Sequence, residues 1–253
     1  MKIINKLSIY ITALFLSSGA FNASAFDVHK ASIAPTIDGQ LNDAAWENAQ
    51  WRPIDQLILG EMPTKEDFSG QYKIVWNEDK LFVVAEIVDD LLADKHPNPL
   101  ESYWNDDIFE ILIDEDKSGG NHQNNYNALA YHISLDNQAV DIDTNGNPKL
   151  MNDHIKSSWR RSNNDPSKMI WEVSVDIYPD TLKDEYAENE EPTSPVKLNA
   201  GKELGLLIAY CDNDGGLERE NFMTSFDIPA VDGDKNRAYI DASVFEGITL
   251  VDK

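Results

Sequence analysis

Glu110 stands in the middle of the apolar run Ile108–Asp114 (IFEILID), six residues after Trp104 in a polar stretch. That pair of residue types suits one chemistry well. A pyranose presents an apolar C–H face that packs on an indole plane, while its hydroxyls point sideways, where an ionised carboxylate accepts from two of them. The strand period groups Glu110 with Ile108 and Leu112, opposite Phe109, Ile111 and Ile113. The apolar trio is expected to face the interior, leaving Glu110 on the other face below Trp104. The competing reading is an exposed sheet face with acidic decoration and a tryptophan that packs over a sandwich edge. Further along, His132 and Ser134 share one face of AYHIS, with Tyr131 and Ile133 on the other, and His132 is a candidate donor to a hydroxyl of the same site.

Two other chemistries could use the same residue types. A glycoside hydrolase would pair Glu110 with Asp107 or Asp114, at about 5–5.5 Å for retention or about 6.5–9.5 Å for inversion. Acids are abundant enough to supply pairs by chance, and no sequence feature nominates one with a raised pKa, so no catalytic residue is assigned. A metal site is the second. Asp114 and Asp116 in DEDKSGG alternate ahead of a glycine like the start of an EF-hand loop, yet Asn125 occupies the position where that loop needs glutamate. Asp212 and Asp214 in DNDGG form a similar cluster, and Asp38, Asp43, Asp89 and Asp90 add hard oxygen donors. Zinc is not expected from one cysteine and scattered histidines.

The first residues indicate the compartment. Lys2 and Lys6, the apolar run LSIYITALFL and the Ala23-Ser24-Ala25 site describe a cleavable leader over residues 1–25. Its apolar run is too short for a comfortable membrane span, so a secreted or periplasmic chain beginning at Phe26 is expected. Without the leader's two lysines, 19 basic face 45 acidic residues, a charge of −26 against −24 for the whole sequence. Such a field repels nucleic-acid phosphates and anionic lipid, and it suits neutral glycans and calcium. Cys211 is the lone cysteine, so no intrachain disulfide forms and the core must supply stability. A chain of this length buries roughly 70–75% of its unfolded surface, enough for one large domain.

The elements that must position these residues are strands. QYKIVWN, LFVVAEIV, IFEILID, ALAYHISLD, AVDID, MIWEVSVDIY, ELGLLIAYC, NFMTSFDI, RAYIDASVF and GITLV read as strands joined by Asp/Asn/Gly turns. Helical periodicity is confined to a short turn in LNDAAWENA. The expected fold is all-β, an antiparallel β-sandwich of jelly-roll or immunoglobulin-like type, with one domain over residues 26–253. Residues 182–203, with Pro192 and Pro195, are expected as a long surface loop. Trp46, Trp76, Trp159 and Trp171 are expected to fill or close the core.

Five stretches, in order, resemble the family 9 carbohydrate-binding modules, a DOMON-like β-sandwich. They are APTIDGQLNDAAWENA, KIVWNEDKLFVVAEIVDD, WNDDIFEILIDED, AYCDNDGG and YIDASVFEGITLV. The resemblance implies a module that binds a glycan between two aromatic rings, often at a reducing end, and that holds structural calcium. Trp104 matches the family's first platform, Glu110 its sugar-contacting glutamate, and His132 and Ser134 its further hydrogen-bonding positions. Tyr239 aligns with the second platform, a tryptophan elsewhere, and the family's glutamine near AYCDND is apolar or small here. Such modules sit beside xylanases; no catalytic domain is read in this chain, so separate secreted glycoside hydrolases acting on a plant-type polysaccharide are the expected partners. Distantly related sandwiches hold haem through methionine, but Met62, Met151, Met169 and Met223 stand in no ligand context. A scaffold domain that has lost its sugar site is the bland alternative.

Overall fold

The computed structural model describes residues 25–162 and 165–252. The expected leader lies outside these residues except for Ala25, and no helix among them is long and apolar enough to cross a membrane. Fourteen strands form the described chain: β1 (Phe26–His29), β2 (Arg52–Ile54), β3 (Gln56–Leu59), β4 (Phe68–Trp76), β5 (Lys80–Asp89), β6 (Ile108–Asp114), β7 (Leu129–Ile133), β8 (Ala139–Ile142), β9 (Pro148–Leu150), β10 (Ile155–Arg161), β11 (Lys168–Asp176), β12 (Glu203–Asp212), β13 (Asn221–Thr224) and β14 (Glu246–Val251). One sheet runs β1-β14-β12-β6-β7-β8-β9, with β13 added beside β12 and β3 beside β13. The other runs β10-β11-β5-β4-β2. Apart from parallel β1–β14, the pairs are antiparallel. This is the sandwich that the alternating strand patterns predict.

Period two decides what each face touches. Leu81, Val83, Ala85 and Ile87 of β5 pack into the space between the sheets against Phe109, Ile111 and Ile113 of β6 and Tyr131 and Ile133 of β7. Each such side chain, fully buried, contributes about 1.5–3 kcal/mol. Phe82 and Val84 face outward into a second layer with Ile37 and Trp46. The outer face of the larger sheet is covered too: Ile108, Leu112, Leu207 and Ala209 pack beneath Phe222, Ala238 and Phe245. Central strands are therefore buried on both sides, and Glu110 is not on an open sheet face.

Several expectations change. RAYIDASVF is not a strand, because residues 237–241 turn and Ala242–Val244 form a 3-10 turn before β14. Arg237, Ile240 and Asp241 close that turn on themselves through main-chain bonds. Residues 182–203 are free of strand up to β12, but the segment is docked. Asp184 accepts from Tyr126, from the Thr144 amide at 2.9 Å and from Lys149 at 2.9 Å, and Leu198 is buried in the core. Trp46, Trp76 and Trp171 are core residues, as expected. Trp159 lies on β10, a strand that SSWRR conceals, and donates to the Leu135 carbonyl at 2.7 Å. Met151, Met169 and Met223 are packed between the sheets.

Candidate functional site

The cavity over the outer face of the larger sheet is built from β6 outward. Antiparallel register places His132 of β7 on one side of Glu110 and Ala209 of β12 on the other. Glu110 is 3% exposed, and its Oε1 accepts from the Cys211 thiol at 3.0 Å. His132 Nε2 stands 3.5 Å from the same oxygen and an Arg219 Nη1 3.8 Å away. His132 is oriented through its other nitrogen, which donates to the Ala130 carbonyl at 2.8 Å. Burial pushes the Cys211 thiol well up, so it remains a neutral donor.

Three loops close over this floor. The loop before β6 brings Trp104, 41% exposed, with Tyr103 edge-on both to it and to the His132 ring, each at 4.8 Å between centroids. The turn before β14 brings Tyr239, 48% exposed, beside Ala238, whose carbonyl accepts from the buried His122 at 2.8 Å. The β12–β13 loop brings Arg219, whose guanidinium lies 4.4 Å from the Phe222 ring and donates to Cys211 Sγ at 2.9 Å. Trp104, Glu110, His132, Arg219 and Tyr239 all line one cavity of about 490 Å³, within the range typical of small-molecule sites. Aromatic planes at the rim and hydrogen-bonding groups at the base suit a sugar's two kinds of surface.

Ser134 does not join them. Its hydroxyl is used in the β7–β8 turn, donating to Asp136 and to the Gln138 carbonyl, and it lines a small neighbouring recess instead. Asp107 and Asp114, weighed as catalytic partners of Glu110, are not among the cavity's lining residues. The carboxylate that does share the cavity is Asp141, which accepts from the Ala130 and Ile142 amides, each at 2.8 Å. The sequence reading missed Asp141, Arg219 and Tyr103. Adjacency to Trp104 was the available signal for Tyr103; Arg219 and Asp141 carried none.

A sequence profile described as "Carbohydrate family 9 binding domain-like" matches residues 37–253. The chain belongs to that family. Among curated relatives of the family 9 domain, the endo-1,4-beta-xylanase C of Paenibacillus barcinonensis is 31% identical over 116 residues, 45% of this chain and 10% of that protein. The endo-1,4-beta-xylanase A of Thermotoga neapolitana is 28% identical over 92 residues, 36% of this chain and 8% of that protein. The chain thus spans about a tenth of the curated relatives it matches. Two solved structures of a family 9 module from Caldicellulosiruptor kristjanssonii share the fold. The complex with cellotriose has a TM-score of 0.62 at 18% identity, covering 90% of this chain and 94% of that one. The complex with glucose has a TM-score of 0.61 at 18% identity, covering 90% and 96%.

The family 9 resemblance implies calcium, and the acids of the sequence reading divide into two groups. β6 and β12 run antiparallel with Cys211 opposite Ile108 and Gly205 opposite Asp114. Asp212 therefore lies near Asp107, while Asp114 and Asp116 sit at the far end of β6, about 23 Å away at the strand rise. Asp114 Oδ2 and Asp116 Oδ1 accept from the Gly119 amide at 2.7 Å and the Ser118 amide at 3.0 Å, while Asp114 Oδ1 is buried with no hydrogen-bond partner. Among the described residues they belong to no cluster of three metal-ligating side chains. Asp212 belongs to two: one with Asp89 and Asp107, all three buried, and one with Asp67 and Glu220; Asp214 groups with Asp67 and Asp90. In each group the ligand atoms lie within 4.8 Å of one another. Burial pushes Asp107 up to about 9 and Asp212 up to about 7. Asp89 Oδ1, and the Oδ1 of Asn213, which follows Asp212 in sequence, are buried with no hydrogen-bond partner. A compact set of hard oxygens with unused acceptors fits a calcium ion.

Proposed function

We propose that this chain is a non-catalytic sugar-binding module that takes a terminal, reducing-end ring of a plant-type glycan between Trp104 and Tyr239. One observation carries the reading: a single cavity gathers Trp104, Glu110, His132 and Tyr239, which the sequence nominated from separate stretches. Glu110 accepts from ring hydroxyls, Arg219 stands beside it to donate, and His132, whose Nδ1 donates to the Ala130 carbonyl, presents Nε2 to a further hydroxyl. Family membership supports this, as do the cellotriose and glucose complexes of modules with the same fold. The curated relatives are xylanases, which supports separate glycoside hydrolases as working partners. Export through the leader would bring the module to such glycans. Asp89, Asp107 and Asp212, with Asn213, would hold a structural calcium ion, which when bound neutralises carboxylates buried together.

Calorimetric titration of the full chain with cellobiose, xylobiose and their reduced alditols tests the reading. Binding of a disaccharide with loss on reduction is expected. No binding across a broad glycan panel overturns it, and equal affinity for the alditols overturns the reducing-end assignment.

A further inference from the structure

We infer that the Asp89–Asp107–Asp212 cluster, loaded with a divalent cation, positions Trp104 and Arg219 across the sugar cavity, so that cation and saccharide bind cooperatively. The inference rests on the saccharide-binding reading above. The three acids belong to three segments: the end of β5, the lead-in to β6 and the end of β12. Asp107 lies midway between Trp104 and Glu110, three residues from each. Asp212 follows Cys211, whose thiol donates to Glu110.

A chain of contacts runs from the acids to both walls of the cavity. Asp107 Oδ1 accepts from the Asn213 amide at 2.8 Å. The Asn213 side-chain amide then donates to the carbonyl of Asn105, the neighbour of Trp104, and to that of Gly216 at 3.3 Å. Asn105 in turn accepts from the Arg219 amide at 3.5 Å. The Trp104 loop and the Arg219 loop are thus clasped through Asn213, directly beside the acids. Asp89, a member of the cluster, has its Oδ1 buried without a hydrogen-bond partner, and so has Asn213, the residue after Asp212. A divalent cation shared by the three acids ties their three segments together and so holds the clasp they carry. Linkage then requires the saccharide to tighten the cation by the same factor as the cation tightens the saccharide.

The experiment titrates the full chain with cellobiose in saturating calcium and in EGTA, and with calcium in the presence and absence of cellobiose. Cellobiose affinity is expected to fall about tenfold in chelator, and calcium affinity to rise by the same factor with cellobiose bound. Circular dichroism verifies that the chelated protein is folded. Equal cellobiose affinity in folded protein with and without calcium overturns the inference, as does failure to bind calcium at all.

Asn213→Asp retains an oxygen at that position and removes the donor to Asn105. It is expected to bind calcium at least as tightly as wild type while losing about tenfold in cellobiose affinity in calcium, and an unchanged affinity overturns the inference even where chelation unfolds the chain. Absence of cellobiose binding in every condition sinks the saccharide reading instead. The positioning is then read from the calcium-dependent change in Trp104 emission, taken as the difference between wild type and Trp104→Phe, and its absence overturns the inference.

Discussion

Glu110 and Glu172 occupy matching places in opposite sheets, and only one of them looks into a cavity. Both stand mid-strand among apolar residues, Glu110 in IFEILID and Glu172 in MIWEVSVD, and both are buried. Both turn away from the space between the sheets. Glu172 is met by the N-terminal segment, which supplies the amides of Asp38, Gly39 and Gln40 at 3.0, 2.9 and 3.3 Å and the Trp46 indole at 2.9 Å. Gly39 is needed there: its φ is +77°, and a Cβ would meet the Trp159 backbone at 2.8 Å. Glu110 instead has a thiol, an imidazole and a guanidinium at 3.0–3.8 Å, all on side chains, and open space above. Main-chain donors fixed by the fold make a carboxylate part of the scaffold. Side-chain neighbours at longer range leave it able to exchange partners with a ligand.

Replacing each acid separates the two roles. Glu172→Ala strands three amides and an indole, and should cost about 4 kcal/mol, lowering Tm by about 8–16 °C with cellobiose affinity intact at 20 °C. A Tm change under about 3 °C would show that the segment does not depend on its anchor. Asp141 sharpens the comparison, because it lines the Glu110 cavity but has main-chain partners of the Glu172 kind. Burial pushes it up to about 6, against partial relief from its amide donors and His132. Since that value lies above the ordinary 3.8, the sign is that of a group stabilising the fold when protonated. Its contribution is fully present below about pH 4 and is lost as pH rises through about 6, on the order of 3 kcal/mol. Denaturant unfolding at pH 4 and pH 7 should show this loss in wild type but not in Asp141→Asn, and parallel profiles would contradict it.

Smaller effects fall on binding. Glu110→Gln should weaken cellobiose about 100-fold while Tm moves by less than about 3 °C; a loss of stability without loss of affinity would make Glu110 a second Glu172. Tyr239→Trp should tighten binding about threefold by enlarging the platform. No gain, with Tyr239→Ala also neutral, would remove that ring from the site.

The fold and half of the site were legible because strand period assigns faces. Phe109, Ile111 and Ile113 point inward, and Glu110 points the other way, as alternation requires. The period cannot say which loop folds over a face, so it treated Glu110 and Glu172 alike, and Arg219 and Asp141 went unseen. Ser134 has the parity of His132, but the chain turns after Ile133 and the local Asp136 captures its hydroxyl. Asp114 and Asp212 look equivalent as motifs; register between β6 and β12 sends them to opposite ends.

β12 has three partners, β14 along its first half, β13 along its second and β6 along the other edge. Cys211, Asp212 and Asn213 inherit their neighbours from that one alignment. One extra residue between Leu206 and Cys211 would turn the thiol inward toward Phe109 and carry the aspartate away from Asp107, because side chains alternate by two. Evolution can therefore reshape the rim loops of this module freely, whereas any length change within this spine would erase cavity floor and acid cluster in a single event.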